Sequence, residues 1–351
     1  MFHFVFGLPG AFSEWCESVT VEIARRGLGV NDVIRADTLE QIALRVMRTG
    51  ATSAVVSSRK PGGRLRAALT ERACDIVVAL DDPRTVLLDA VLGQRVALAD
   101  AVQTLASSCA ALTEYAARSD VLVLHGNRDW AQPGTTAMAI AEYLGLEVDD
   151  YEVAEIIVEP TASAALRRRH DAAAWWESLQ IAERDMVTGA LAAYLDDPAL
   201  DRNVPIIWTS ELFFLGDEPN KRLLAPVDIT GRVRPLLQGP HIMLPPGTWT
   251  LSLSTRLSSD ASEHAFSVEV WTDRAIATGT MQARQEGNAT IELDFTVDAM
   301  AERPVAIRIS TTRAAFDGAI IAAEATLIEK EPAVDGVMAP SLVSGAEQPA
   351  A

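Results

Sequence analysis

The spacing of hydrophobic and polar residues changes near Pro205 and divides the chain into two parts. Before this point, short apolar runs alternate with segments whose apolar residues recur every three or four positions. The short runs are typical of buried strands, and the longer period is typical of helices. The predicted strands are Phe2–Phe6, Ser53–Ser57, Asp75–Leu80 and Val121–His125. The predicted helices are Ser13–Arg26, Thr38–Thr49, Leu65–Cys74, Thr85–Leu92, Ala97–Arg118, Thr135–Leu144 and Asp171–Leu195. This alternation predicts a three-layer α/β domain with a parallel sheet covered on both faces.

After Pro205 the apolar residues fall on every second position, which is the pattern of antiparallel strands with one buried face. The predicted strands are Thr248–Leu257, Ala265–Thr272, Ala289–Val297, Pro304–Thr311 and Ala319–Ile328. Five such strands with Gly- and Pro-containing turns predict an all-β antiparallel sandwich. We therefore expect an α/β domain over residues 1–200 and a β-sandwich over residues 205–330. Residues 331–351, with few large apolar side chains, are predicted to be a disordered tail.

Composition and charge exclude several classes of function. The chain has 351 residues and a formal net charge of −18, which opposes binding to nucleic acid and to anionic membranes. No apolar run reaches the length of about 20 residues that a membrane span needs. The first residues carry no Lys or Arg, so a secretory signal is not expected, and the predicted location is the cytoplasm, or a particle surface after assembly. The three cysteines form no CxxC pair, and no metal-ligand spacing is present, so neither a zinc site nor another metal site is predicted.

The stretch FGLPGAFSEW joins the first predicted strand to the first predicted helix, as a phosphate-binding loop does. Such loops hold anions with backbone N–H groups at a helix N-terminus, helped by a Lys or Arg and a hydroxyl. Here Phe12 stands where the Walker pattern has its second glycine, Glu14 adds a negative charge, and the loop has no cation. The segment predicts a P-loop-like framework that lacks its usual anion ligands. Ser13 is predicted to cap the helix.

Three motifs in a fixed order resemble those of the PAPS-dependent sulfotransferase family. They are FGLPGAFSEW, LDDPR at residues 80–84, and a stretch from GNRDW at residues 126–130 to YLGL at residues 143–146. In that family the first loop, P-R/K-S-G-T-T-W, holds the 5′-phosphosulfate, and an Arg in R-D-P-R holds the 3′-phosphate. The resemblance covers about residues 2–150 and implies a degenerate cofactor loop made of Pro9, Gly10, Ser13, Asp81 and Arg84.

The ligands that the family uses for PAPS are mostly replaced in this chain. Gly10 stands at the position of the basic residue, and Asp81 stands at the position of the arginine that holds the 3′-phosphate. Two unit charges about 4 Å apart interact by about 4 kcal/mol at an effective dielectric constant of about 20, so this reversal opposes binding. The resemblance therefore implies a noncatalytic domain without a cofactor. The alternative is an active enzyme that binds PAPS through a rebuilt site, with Arg59, Lys60, Arg84 or Arg128 as the cation and His125 as the base.

The second part resembles β-sandwich modules of bacterial polysaccharide-biosynthesis proteins. The resemblance is carried by residues 226–249, which include a G-P-x-x-x-L-P-P-G turn followed by Trp249. Sugars are bound by aromatic faces with planar polar groups beside them, so the candidate glycan-binding residues are Trp271, Arg274, His241 and Trp249. For both tryptophans the alternative is a structural position in the sandwich core.

The sequence thus predicts a noncatalytic sulfotransferase-like scaffold with a sandwich that binds a glycan or a protein. Its expected setting is surface polysaccharide production or, as a glycan-binding spike, the outside of a phage-like particle. The alternatives are an active sulfotransferase that modifies a polysaccharide and a structural assembly subunit. The expected partner is a polysaccharide or a protein, and the chain could form a homo-oligomer.

Overall fold

The computed structural model describes residues 1–30, 32–71, 74–146, 150–157, 171–194, 204–282 and 287–330. The tail predicted at residues 331–351 lies outside the described residues. We number strands and helices in chain order.

The first part contains a five-stranded parallel sheet with the order β2-β3-β1-β4-β5. The strands are β1 (Phe2–Gly7), β2 (Asp32–Arg35), β3 (Ala54–Ser58), β4 (Ile76–Leu80) and β5 (Leu122–His125). Strands β1, β3 and β4 have apolar residues on both faces because helices cover both sides of the sheet. The helices are α1 (Ala11–Leu28), α2 (Leu39–Thr49), α3 (Gly63–Thr70), α4 (Pro83–Leu88), α5 (Leu98–Ala116), α6 (Gly126–Asp129), α7 (Pro133–Tyr143), α8 (Asp150–Ile156), α9 (171–178) and α10 (Ile181–Leu191).

Two hydrophobic clusters lie on opposite faces of this sheet. One cluster contains Val5 of β1, Phe12 and Trp15 of α1, and residues of α7 and α8. The other contains Phe6 of β1 together with residues of α3, α4 and α5, and it continues without interruption into the second part of the chain. Successive residues of β1 point to opposite faces, so this one strand contributes to both clusters.

The second part is a sandwich of two antiparallel sheets. One sheet has the order β13-β10-β15-β6, with β8 also paired to β15, and the other has the order β12-β11-β14-β9-β7. The strands are β6 (Ile206–Trp208), β7 (Phe214–Leu215), β8 (Val227–Asp228), β9 (Pro235–Ile242), β10 (Gly247–Leu257), β11 (Ala265–Trp271), β12 (Ala275–Gln282), β13 (Asn288–Val297), β14 (Val305–Thr311) and β15 (Ala319–Glu329). The predicted fold class, an α/β domain followed by an antiparallel sandwich, is confirmed.

Helix α5 belongs to the α/β part and also contacts the sandwich. The Ser107 hydroxyl accepts a hydrogen bond of 3.1 Å from the backbone N–H of Met243, and the Gln103 side-chain amide donates to the Pro240 carbonyl. Val102 and Leu105 of the same helix lie in the hydrophobic cluster that joins the two parts. The helix therefore fixes β9 and the segment that follows it against the α/β part.

Some predicted element boundaries were wrong. The segment predicted as one helix over Asp171–Leu195 is two helices, 171–178 and Ile181–Leu191, with Gln180 capping the second. Ser13 is not the cap of α1, because the helix already begins at Ala11 and Gly10 occupies the capping position. Gly29 closes α1 in the left-handed conformation with φ of 66°, which a glycine adopts without steric cost. No helix in the described ranges is both long and apolar enough to cross a membrane.

Candidate functional site

The loop between β1 and α1 joins a buried strand to the N-terminus of a helix and turns its hydroxyl inward. The Ser13 hydroxyl donates to the Ala79 carbonyl of β4 over 3.2 Å, and the Ser13 side chain is buried. Gly7 permits this contact, because a Cβ atom at that position would lie 2.3 Å from the Ser13 Oγ atom. The hydroxyl that would face a phosphate thus joins α1 to the sheet. Pro9 and Gly10 form the half-buried turn above it.

Phe12 fills the space at the N-terminus of α1 with an aromatic ring. The ring is fully buried, with its centroid 6.1 Å from Trp15 and 5.6 Å from Trp130. Trp130 follows the short helix α6, beyond the end of β5. This aromatic cluster covers the carboxyl edge of the sheet beside β5, where open α/β sheets bind ligands.

Two carboxylates, those of Asp81 and Asp129, lie at this edge. The Asp81 carboxylate follows β4 and packs against Gly126, where an added Cβ would lie 2.3 Å from Asp81 Oδ1. Asp129 accepts from the backbone N–H of His125 over 2.6 Å. Burial, together with the nearby Asp129 and Asp81 carboxylates, raises the pKa of the Cys16 thiol beneath them. Burial opposes ionisation of Asp129, but hydrogen bonds from Arg128 and the His125 amide keep its pKa below the ordinary value.

The candidate cations Arg84, Arg59 and Arg128 each contact another side chain. Arg84 lies on α4 with its guanidinium 4.9 Å from the centroid of the Trp176 ring. Arg59 donates to the buried carboxylate of Glu17 over 2.9 Å, in a cleft of about 500 Å³ between the first turns of α1, which include Glu14, and the carboxyl ends of β2 and β3. Lys60 follows it, and its backbone N–H donates to Ser58 Oγ. Arg128 donates twice to Asp129, over 2.6 and 3.0 Å.

A second candidate site lies on the outer face of the sheet that contains β11, β14, β9 and β7. The strand register places Glu269 opposite Arg308, Arg308 opposite Gln238, and Gln238 opposite Phe214. Arg222 forms an isolated antiparallel backbone bridge with Phe214 and extends this row by one position. The row lies on the outer face because the alternate residues, such as Val268, Val270, Ile307 and Ile309, are buried inside the sandwich. We call this row, together with Trp271 and His241, the strip.

Trp271 is half-buried at one end of the strip, and its ring is held by two contacts. The indole Nε1–H donates to Glu269 Oε2 over 2.8 Å, and the Arg308 guanidinium lies 4.3 Å from the ring centroid. The Arg308 Nη1 atom lies 3.9 Å from the Glu269 Oε2 atom. Trp271 pairs with the small residue Ala306, which leaves room for the ring beside Arg308. The arrangement combines an aromatic surface with planar hydrogen-bonding groups.

Phe214 and Arg222 form a similar pair at the other end of the strip. The Arg222 guanidinium lies 4.1 Å from the centroid of the Phe214 ring. It donates to the Leu212 carbonyl over 2.9 Å and to Gln103 Oε1 over 2.6 Å, and it forms an ion pair with Asp100. These contacts leave the guanidinium in one orientation, with 16% of the side chain exposed.

His241 lies between these two pairs and has an unusual backbone conformation. Its φ is 62°, in the left-handed region that is unfavourable for residues with a Cβ atom. The side chain is exposed, and its ring centroid is 6.0 Å from that of Phe214. Partial burial of the ring, with the Arg222 and Arg308 charges, lowers its pKa from the ordinary value. The lowered pKa favours the neutral ring, which can both donate and accept a hydrogen bond.

The structure separates the four predicted glycan-binding residues. Trp271 and His241 belong to the strip, and Arg274 is exposed in the turn between β11 and β12. The proposal for Trp249 was wrong, because only 2% of this residue is exposed and its Nε1–H donates to the Pro245 carbonyl inside the sandwich. Sequence reasoning missed Glu269 and Arg308, although their alternation with buried residues was a signal that they share the outer face.

Two further clefts lie away from the strip. One, of about 720 Å³, runs between α1 and α2 beside β2 and includes Arg35, Arg45 and Arg48. The other, of about 460 Å³, lies between α10 and the sheet that contains β10 and includes Asp185 and Glu211. The residues that line either cleft include no aromatic side chain. In the described part of the chain, no group of three or more His, Cys, Asp or Glu residues is arranged to hold a metal ion.

Solved structures similar to this chain fall into two groups. The first group includes a mouse sulfotransferase, SULT7A1, complexed with PAP, at 14% identity and a TM-score of 0.36 over 44% of this chain and 61% of that chain. It also includes retinol dehydratase in complex with androsterone and inactive cofactor PAP, at 12% identity and a TM-score of 0.34 over 44% of this chain and 62% of that chain. The second group is represented by TmCBM61 in complex with β-1,4-galactotriose, at 14% identity and a TM-score of 0.22 over 30% of this chain and 70% of that chain.

These matches are remote. The chain spans about six tenths of the length of the first two structures. The kinds of protein found are those that the motifs predicted, a sulfotransferase and a carbohydrate-binding module. No protein-family model matches the sequence, and no curated protein matches it. Neither membership of a family nor an activity follows from these similarities, so function has to be argued from the residues.

Proposed function

We propose that this chain is a noncatalytic glycan-binding protein in which the strip binds a polysaccharide. The α/β part, in this proposal, is a scaffold whose anion site has been lost. The setting that we propose is surface polysaccharide production, or display on a phage-like particle that recognises such a polysaccharide.

The observation that carries the proposal is the environment of Trp271. An aromatic face on an outer sheet surface can stack on the C–H groups of a sugar, and planar groups beside it can bind the hydroxyls. Glu269 and Arg308 supply such groups beside the ring, and both also hold it in place. Because the ring is already held in place, little side-chain entropy is lost on binding.

The noncatalytic part of the proposal is supported by the loop after β1. Binding of the PAPS phosphates would place several negative charges near Asp81 and Glu14, and Phe12 fills the adjoining space. Ser13 is already bonded to the sheet. Each of these features opposes binding of the cofactor.

A polysaccharide array with the full chain tests glycan binding. We expect retention on at least one bacterial capsular or exopolysaccharide, and loss of that retention in Trp271→Ala. A wild-type chain that binds none of a broad set of such polysaccharides would instead favour a structural assembly subunit or a protein-binding function.

A thermal-shift titration with PAP tests the noncatalytic claim independently. A ligand present at 100 times its Kd stabilises the native state by about 2.7 kcal/mol, which is readily detected. We expect no saturable change in Tm up to millimolar PAP. A saturable rise would support the active-sulfotransferase alternative.

A further inference from the structure

The two ends of the strip are too far apart for one sugar ring. Trp271 lies on β11 and Phe214 on β7, and the strands between them are β14 and β9. Three inter-strand spacings of about 4.8 Å separate β11 from β7 by about 14 Å. Each end carries an aromatic ring with a guanidinium stacked on it, at 4.3 Å for Trp271 and 4.1 Å for Phe214. A ligand that contacts both pairs must be a chain of several sugars lying across the strands.

The end of the strip at Phe214 depends on helix α5 of the α/β part. Gln103 accepts from Arg222 through its side-chain oxygen and donates through its side-chain nitrogen to the Pro240 carbonyl. Asp100, three residues earlier on the same helix, forms the ion pair with Arg222. A single side chain of α5 thus contacts both Arg222 and the residue that precedes His241.

His241 gives an independent reason to place ligand contacts at this end. Non-glycine residues in the left-handed region are strained and persist where the surroundings impose them, often at binding sites. His241 has this conformation, is exposed, and directly follows the carbonyl that Gln103 holds. Its placement is therefore set in part by the contact with α5.

We propose that helix α5 completes a second sugar subsite around Phe214, Arg222 and His241, with Gln103 as the positioning residue. This inference rests on the proposed glycan-binding function. It assigns the α/β part a direct contribution to recognition and the ligand to the class of extended oligosaccharides. Gln103 acts through Arg222 and Pro240 and does not itself need to contact the sugar.

The test is the dependence of affinity on oligosaccharide length. The probes are oligosaccharides of one to six residues, prepared by partial hydrolysis of the polysaccharide that wild type retains on the array, and affinity is measured by calorimetry. For wild type we expect affinity to rise at least tenfold between short and long probes and then to level off. Gln103→Ala should lose that rise and keep the affinity for the shortest probes that bind.

Two variants separate positioning from general destabilisation. Gln103→Glu keeps an acceptor for Arg222 but cannot donate to the Pro240 carbonyl, so it should restore only the part of the rise that depends on Arg222. Thr104→Ala is the matched control, because the Thr104 side chain is exposed and its hydroxyl bonds only to the Asp100 carbonyl of its own helix. It should behave as wild type. Urea unfolding of each variant establishes that the chain is folded.

Three outcomes would overturn the inference. They are an affinity that does not grow with probe length, a Gln103→Ala variant that weakens short and long probes equally, and one that leaves both unchanged. Each of these outcomes differs from failure of the proposed function itself. In that case the wild-type chain would retain no polysaccharide on the array, and Trp271→Ala would not differ from it.

Discussion

The same substitution at two tryptophans of the sandwich should have opposite effects on stability and binding. Trp271 is half-buried on the outer face, and its ring interacts with Arg308 and Glu269. An exposed cation–π contact contributes about 0.5–1 kcal/mol, and a hydrogen bond at a partly solvated site contributes about as much. The buried part of the ring adds to this at about 25 cal/mol per Å². Trp271→Ala should therefore lower the free energy of unfolding, but by less than the removal of a fully buried tryptophan. It should weaken polysaccharide binding at least tenfold.

Trp249→Ala provides the contrast within the same fold. Trp249 is 2% exposed, is among the largest fully buried side chains, and donates its indole N–H to the Pro245 carbonyl. Removing a buried tryptophan typically costs about 3–5 kcal/mol because a cavity remains. Trp249→Ala should therefore destabilise the sandwich strongly, whereas Trp249→Phe, which restores part of the volume, should fold and bind as wild type.

Urea unfolding and polysaccharide affinity are measured for each variant at matched protein concentration. The reasoning fails if Trp271→Ala loses as much stability as Trp249→Ala, since Trp271 would then belong to the core. It also fails if folded Trp271→Ala binds within twofold of wild type, because the strip would then have no aromatic platform. The Trp249→Phe control distinguishes a lost contact from a lost fold.

Three further predictions concern other parts of the structure. Phe12→Ala should lower the free energy of unfolding in urea by about 3–5 kcal/mol. It should still show no PAP-induced change in Tm, because the carboxylates around the loop remain. A saturable rise in Tm with PAP would contradict this. Polysaccharide affinity should fall as the pH drops through the lowered pKa of His241, because the protonated ring loses the nitrogen that accepts a hydrogen bond from a sugar hydroxyl. Because the pKa of His241 is lowered in the folded state, the free energy of unfolding should also decrease as the pH falls through that pKa. His241→Gln should flatten the pH dependence of affinity, measured by calorimetry, and that of stability, measured by urea unfolding. An unchanged pH dependence in this variant would exclude His241 as the cause. Ser107→Ala should lower the free energy of unfolding in urea by about 1–3 kcal/mol, because the buried N–H of Met243 loses its acceptor. Ser108→Ala is the control and should lower it less, because the Ser108 hydroxyl bonds within α5. Equal losses of stability in the two variants would argue against a special role for the contact between Ser107 and Met243.

The periodicity of the sequence predicts the fold class but not all of the elements. Strands with long apolar runs or strict alternation, such as β4 and β10, were found close to their predicted positions. Strand β2 was missed because its four residues, Asp32–Arg35, include a charge at each end and form the edge of the sheet. Strand β9 was missed because Gly239 and Pro240 interrupt its pattern.

The strip could be predicted only in part, because it is built from pairs of residues far apart in sequence. Trp271 was identified from its place before a turn, and the alternation along β11 puts Glu269 on the same face. The pairing of Glu269 with Arg308 depends on the register between β11 and β14, which hydrophobic periodicity does not determine. The contact of Arg222 with Asp100 and Gln103 joins residues more than 100 positions apart, across the two parts of the chain.

The two candidate sites differ in where the backbone and side chains depart from ordinary local preferences. At the loop after β1, Ser13 bonds to the sheet and Phe12 is buried among aromatic rings, so these residues contribute to packing. At the strip, His241 is exposed and has a left-handed backbone conformation, so little burial of its side chain offsets the strain. Departures from local preference in native proteins are concentrated at functional sites, because selection for function offsets their cost. By this argument the strip, rather than the loop after β1, is where a binding function should be sought.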